Sequence, residues 1–101
     1  MYIIGAKCTF FLPYVSSLKE KRKVCKRIIE KSKNKFDVSI AEVGPHDVHQ
    51  TLAIGLAIVS GEKHQAKKVI DSIIYFIENH MELTGEAEVQ IVEMYDEFGL
   101  F

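Results

Sequence analysis

Apolar residues in this chain first alternate, then recur every three to four positions, then alternate through two more stretches, after which the helical spacing and the alternation return once each. Residues 2–12 are rich in Ile, Phe and Thr, with Ala6, Cys8, Phe10 and Leu12 on one parity and Gly5, Lys7, Thr9 and Phe11 on the other. That period of two predicts a strand, which Pro13 stops by withholding an N–H from the ladder. Ser17 and Glu20 are spaced as a capping box, the Ser17 hydroxyl taking the Glu20 amide and the Glu20 carboxylate returning to the Ser17 amide. Leu18, Val24, Cys25, Ile28 and Ile29 then recur at helical spacing and carry a helix to about Lys33. Residues 36–43 and 51–60 read as a second and a third strand, separated by Gly44-Pro45 and a short polar loop reaching Gln50. Ser60 can cap a second helix from about Glu62, with Ala66, Val69, Ile70, Ile73, Ile74, Ile77 and Met81 as its apolar stripe. That helix ends before the Thr84-Gly85 turn, residues 86–95 alternate as a last strand, and residues 96–101 remain as a tail.

The order βαββαβ in one domain, residues 1–101, predicts an α+β fold: a ferredoxin-like sandwich, with a four-stranded antiparallel sheet and two helices on one face. In the third strand Leu52, Ile54, Leu56 and Ile58 belong to the core. Ala53, Gly55, Ala57 and Val59 then look outward, with Ala41 and Val43 beside them. A solvated antiparallel face should alternate with polar residues, and this one does not. A homo-oligomer, a dimer formed through the open sheet face, is the expected cover. Stacking of RNA bases there would need aromatics in the central strands, where only Phe11 is available.

Charge changes the picture more than composition does. Residues 17–35 hold nine of the thirteen basic residues against Glu20 and Glu30, a local net of +7, whereas the chain from Asp71 onward carries eight carboxylates and no Lys or Arg. The formal net charge is only −1. Part of this suits a helix dipole, since Lys31, Lys33 and Lys35 fall near the C-terminus of the first helix. Lys19, Lys21 and Arg22 fall in its first turns, where the dipole disfavours them. Lys19/Lys23, Arg22/Lys26, Lys23/Arg27 and Arg27/Lys31 are like-charged i,i+4 pairs, each costing about 0.2–0.5 kcal/mol. A helix that accepts this repulsion is expected to meet an anion. Lys19, Lys21, Arg22, Lys23, Lys26 and Arg27 are therefore the candidate nucleic-acid-binding residues of a non-enzymatic module that contacts RNA through phosphate, in a ribosomal or translational setting.

Other chemistry is sparse. The apolar run 51–60 is about half a membrane span, and the N-terminus lacks the features of a signal peptide, so a cytoplasmic location without membrane contact is expected. Cys8 and Cys25 lie on apolar positions and read as buried thiols. His46-Asp47-Val48-His49 clusters ligand-type side chains without a nearby cysteine, and neither a metal nor another cofactor is assigned to it. The alternative reading is a homo-oligomeric small-ligand or regulatory module with its site in the 44–50 loop, using Glu42, Asp47, His49 and Gln50. Glu42 shares the parity of Val38 and Ile40, and pairing with a lysine of the first helix is its commoner fate. No arrangement of nucleophile and base supports an enzyme.

Ser17-Leu18-Lys19-Glu20-Lys21-Arg22 followed by Val24, then Phe36-Asp37-Val38-Ser39-Ile40-Ala41-Glu42-Val43, then Asp47 and Gln50, then Gly55 with Ala57-Ile58-Val59, form a pattern over nearly the whole chain. In these residues the chain resembles the YlxP-like family of small bacterial proteins. The resemblance implies a ferredoxin-like fold and a cytoplasmic protein of unassigned biochemical function, often encoded beside translation-initiation and ribosome-maturation factors. Gly44, Pro45, His46, His49 and Thr51 depart from that family's pattern, which has Asp-His-Gln, Trp and Arg in this loop.

Overall fold

A computed structural model describes residues 1–79 with their side chains and the backbone of His80 and of residues 88–95. Its elements run β1 (Tyr2–Phe11), α1 (Leu18–Lys35), β2 (Ser39–Gly44), β3 (Thr51–Ser60), α2 (Lys63–His80) and β4 (Glu88–Tyr95). Met81, the Thr84-Gly85 turn and the tail 96–101 lie outside the described residues.

The structure is an α+β fold that keeps the βαββαβ order; among the residues whose side chains are described, the core lies on the antiparallel strands β2-β3-β1 beneath two helices, and the backbone of β4 joins the sheet at the edge of β1, giving the order β2-β3-β1-β4. β4 follows the outer edge of β1 as an antiparallel backbone ladder, with Tyr95 opposite Tyr2 and Glu88 opposite Thr9. On the helix side α2 packs on β1 and β3, and α1 packs on β2.

Where the alternation was strong, burial follows it. Ile4, Ala6, Cys8, Phe10 and Leu12 are buried from β1 and the loop after it, as are Leu52, Ile54, Leu56 and Ile58 from β3. They meet Cys25 and Ile28 of α1 and Ala66, Ile70, Ile73, Ile74 and Ile77 of α2 in one core. The opposite parity is open, with Phe11, Val43 and Val59 each half exposed or more. Ala53 is an exception, buried on the parity expected to face outward. It has only a methyl to show, between Thr9 on β1 and Gly44 on β2, where the pairing shifts register. Gly55 lies on the same face, and a Cβ there would come within 2.8 Å of Val43 Cγ1, so the missing side chain lets β2 lean over β3.

Both helix starts are capped, each with a change from the expected donor. Ser17 Oγ accepts from the Glu20 amide at 3.1 Å, while the Glu20 carboxylate accepts from the Ser16 amide at 3.0 Å and the Ser16 hydroxyl at 2.9 Å rather than from Ser17. Those bonds, the Ser16 amide first, hold the Glu20 carboxyl below its ordinary pKa. At α2, Ser60 Oγ accepts from the Glu62 amide, and Glu62 itself closes the helix end by accepting from the His64 and Gln65 amides at 3.1 and 3.0 Å.

One polar group sits in the core without a partner among the described residues. Ser32 is fully buried on the inner face of α1, and its hydroxyl makes no hydrogen bond. Desolvating a hydroxyl in this way costs on the order of 1 kcal/mol. Ser32→Ala is expected to raise the unfolding free energy by that amount, read as a higher urea midpoint at an unchanged slope, and a lowered midpoint would show that the hydroxyl is satisfied.

Candidate nucleic-acid interface

Eighteen residues of α1 span about 27 Å. The helix buries Lys21, Cys25, Ile28 and Ser32, a stripe of i, i+4, i+7 and i+11, and leaves Lys19, Arg22, Lys23, Lys26 and Arg27 exposed on the other side. Among the described residues the only ion pair of these five joins Lys26 to Glu30, both well exposed, at 3.9 Å. At that separation and exposure it neutralises little. The like-charged i,i+4 contacts therefore run along a cationic ridge that Glu20 beside Lys23 and Glu30 beside Lys26 relieve in part.

Lys21 is the correction to the predicted set. Its side chain is 2% exposed, and its ammonium cannot reach a phosphate. The Nζ donates instead to the Pro45 carbonyl and, at 2.6 Å, to the Val48 carbonyl, with Glu42 Oε2 at 3.5 Å. Glu42 in turn places Oε1 3.3 Å from His46 Nδ1. The ammonium donates to two loop carbonyls while the Glu42 carboxylate stands beside it as counter-charge. Lys21 thus fastens the loop between β2 and β3 to the first turn of α1.

Further bonds tighten the same junction. The Leu12 amide donates to the Gln50 carbonyl at 2.8 Å, and Gln50 Nε2 donates to the Pro13 carbonyl at 3.2 Å. Gly44 makes the turn at φ +129°, a region that other residues rarely adopt. The alternative ligand site does not assemble from these parts. Glu42 turns toward Lys21 and His46, Gln50 toward the loop after β1, and no described contact joins Asp47 or His49 to either. Among the described residues no group of three or more His, Cys, Asp or Glu is arranged to hold a metal. No helix among them is long and apolar enough to cross a membrane.

Both cysteines are free and buried. Burial is the main cause that pushes each thiol up to about 11; Glu78 adds to it at Cys8, and at Cys25 the rise from Glu42 is partly offset by Lys21. The thiols stay protonated at neutral pH and are poor nucleophiles.

A second groove escaped the sequence reading. Lys35 and Phe36 at the end of α1, with Asp71, Ser72, Tyr75 and Phe76 of α2, line an open cavity of about 610 Å³. Phe36 and Phe76 meet edge to face with centroids 5.7 Å apart, and Lys35 Nζ stands 4.7 Å from the centre of the Phe76 ring. Its signal in the sequence was Tyr75, one aromatic outside the apolar stripe of α2.

Comparison with known proteins places the chain within a family without adding an activity. A family described as "Protein of unknown function (DUF503)" matches residues 3–93. The chain is 40% identical over 78 residues to the "Uncharacterized protein YlxP" of Bacillus subtilis (strain 168), covering 77% of this chain and 85% of that protein. A solved structure, "De novo designed protein Foldit4", resembles it with a TM-score of 0.53 at 12% identity, over 94% of this chain and 97% of that one. That likeness concerns the fold alone.

Proposed function

The chain belongs to the DUF503 family of proteins of unknown function, and from its own surface we propose that it is an RNA-binding module that grips the phosphate backbone with α1. The observation that carries this reading is the exposed ridge of Lys19, Arg22, Lys23, Lys26 and Arg27, in which one weak pair is the only described ion pair. A solvated helix face would be more stable with interleaved glutamates. Here the repulsion persists in the folded chain, and the phosphates of a polyanion would neutralise it while releasing their own counterions. The contacts would follow shape and phosphate rather than base sequence, in keeping with a ribosomal or translational setting.

The test is binding to a structured RNA duplex across a salt series. Five phosphate contacts on a duplex predict a slope of log affinity against log salt of about −4 to −5. Lys23→Glu combined with Lys26→Glu is expected to abolish binding at 100 mM salt. The same double variant should keep the fold, because it relieves the like-charged contacts of Lys19/Lys23, Arg22/Lys26 and Lys23/Arg27 against new repulsions of position 26 with Glu30 and of position 23 with Glu20. Unchanged affinity in it would remove α1 from the reading.

A second copy of the chain is the proposed cover for the open sheet face. Phe11, Val43 and Val59 protrude there beside the smaller Ala41, Gly55 and Ala57, a relief that a two-fold pairing can interdigitate. Sedimentation equilibrium decides it, a monomer at every concentration being the result that rejects it.

A further inference from the structure

From the aromatic groove between the end of α1 and α2, we infer that the protein also holds one unpaired guanine base of a single-stranded RNA; this rests on the RNA reading above. The groove lies at the end of the cationic ridge. Arg27, Lys31 and Lys35 are exposed and spaced i,i+4, on one line of the helix with successive cations about 6 Å apart along its axis, and Lys35 is itself a wall of the groove. A strand whose phosphates follow this line delivers a base to the cavity.

The lining suits such a guest. Tyr75 is 63% exposed and offers a ring to stack on, beside the edge-to-face pair of Phe36 and Phe76. Lys35, now over the Phe76 ring, has the reach to turn toward a phosphate as the base enters. Asp71 and Ser72 supply the polar edge. The Ser72 hydroxyl already donates to the Lys68 carbonyl at 2.8 Å, which leaves its oxygen as an acceptor, and a carboxylate only accepts. Both line the groove, and acceptors there favour an edge that presents donors. The N1–H and N2–H₂ of guanine provide that edge, whereas uracil offers a single N–H flanked by carbonyls that a carboxylate repels. Asp71 also makes the groove less hospitable to a bare phosphate, so the cavity selects a base and the ridge selects its backbone.

The experiment compares three labelled RNAs in fluorescence anisotropy: a uridine decamer, the same decamer with one central guanosine, and a base-paired duplex. The parent protein is expected to bind the guanosine-bearing strand about ten-fold more tightly than the uridine strand, a modest yield for one stacked base. Tyr75→Ala should lose about ten-fold on the guanosine-bearing strand and nothing on the duplex, with the salt slope unchanged. Asp71→Asn should abolish the preference for guanosine while keeping binding to the uridine strand. Parent binding that is indifferent to Tyr75→Ala, or shows no preference among the single strands, overturns the groove and leaves the ridge standing. Failure of the parent to bind any of the three at low salt overturns both, and the aromatic groove is then left to a protein partner.

Discussion

Lys21→Met will cost about 3 kcal/mol of folding stability, the larger part of what a marginal domain of this size can lose. Methionine keeps the buried stem and its packing but removes the ammonium. The Pro45 and Val48 carbonyls lose their donor, and Glu42 keeps only its contact with His46. Breaking a buried charge pair by removing one partner costs about 3–5 kcal/mol, reduced here because Glu42 retains some exposure to water. Urea unfolding measures the loss, and amide exchange across residues 44–50 should speed up by more than in the rest of the sheet. An unfolding free energy within about 0.5 kcal/mol of the parent would mean that the loop does not depend on the ammonium. Below the melting temperature the variant should bind duplex RNA as the parent does, because a side chain buried beneath the ridge contributes no phosphate contact. That second result separates the structural lysine from its neighbours on the same helix.

The second large effect is expected at Ile54→Ala, about 3 kcal/mol, set against Val59→Ala on the same strand, within about 0.5 kcal/mol. Ile54 is fully buried at the middle of the central strand, between Cys8 of β1 and Glu42 of β2, and truncation leaves a cavity that a packed sheet cannot collapse around. Val59 is 67% exposed on the other parity. Thermal melts at several protein concentrations add a further reading. If a second copy covers the sheet, the parent melts higher as concentration rises, and Val59→Ala weakens that dependence. Equal losses at both positions would contradict the two-sided character of β3.

Lys21 shows where sequence reasoning stops short. It shares the inward stripe with Cys25, Ile28 and Ser32 by spacing alone, yet as a lysine in a basic run it reads as one more surface cation. Its partners are carbonyls 24 and 27 residues away in a loop with no regular pattern of its own. Main-chain oxygens carry no side-chain signature, so nothing in the residue types announces them. Glu42 was more legible, because a carboxylate on a core parity needs a counter-charge and α1 is the nearest source. Its actual partner was the lysine that the reading had sent outward.

The aromatic groove failed to appear for a related reason. Phe36 and Phe76 are forty residues apart and were absorbed by strand and helix patterns, and only their meeting makes a wall. In contrast, the strands β1 and β3 were legible residue by residue, since strict alternation with one buried face admits a single register. β4 alternates more weakly, and its backbone ladder along β1 completes the order β2-β3-β1-β4.

Sequence by itself determined the element order, the two amphipathic helices, the inward parity of the strong strands and the sorting of charge onto α1. Each is a periodic or local property, dictated by side-chain direction along a helix or strand. Tertiary structure alone decided which cation of that helix is buried, how the 44–50 loop is fastened to it, and that an aromatic groove closes the end of the basic ridge. Those features depend on contacts between segments far apart in the chain, and their energies come from groups that have no partner until the fold brings one.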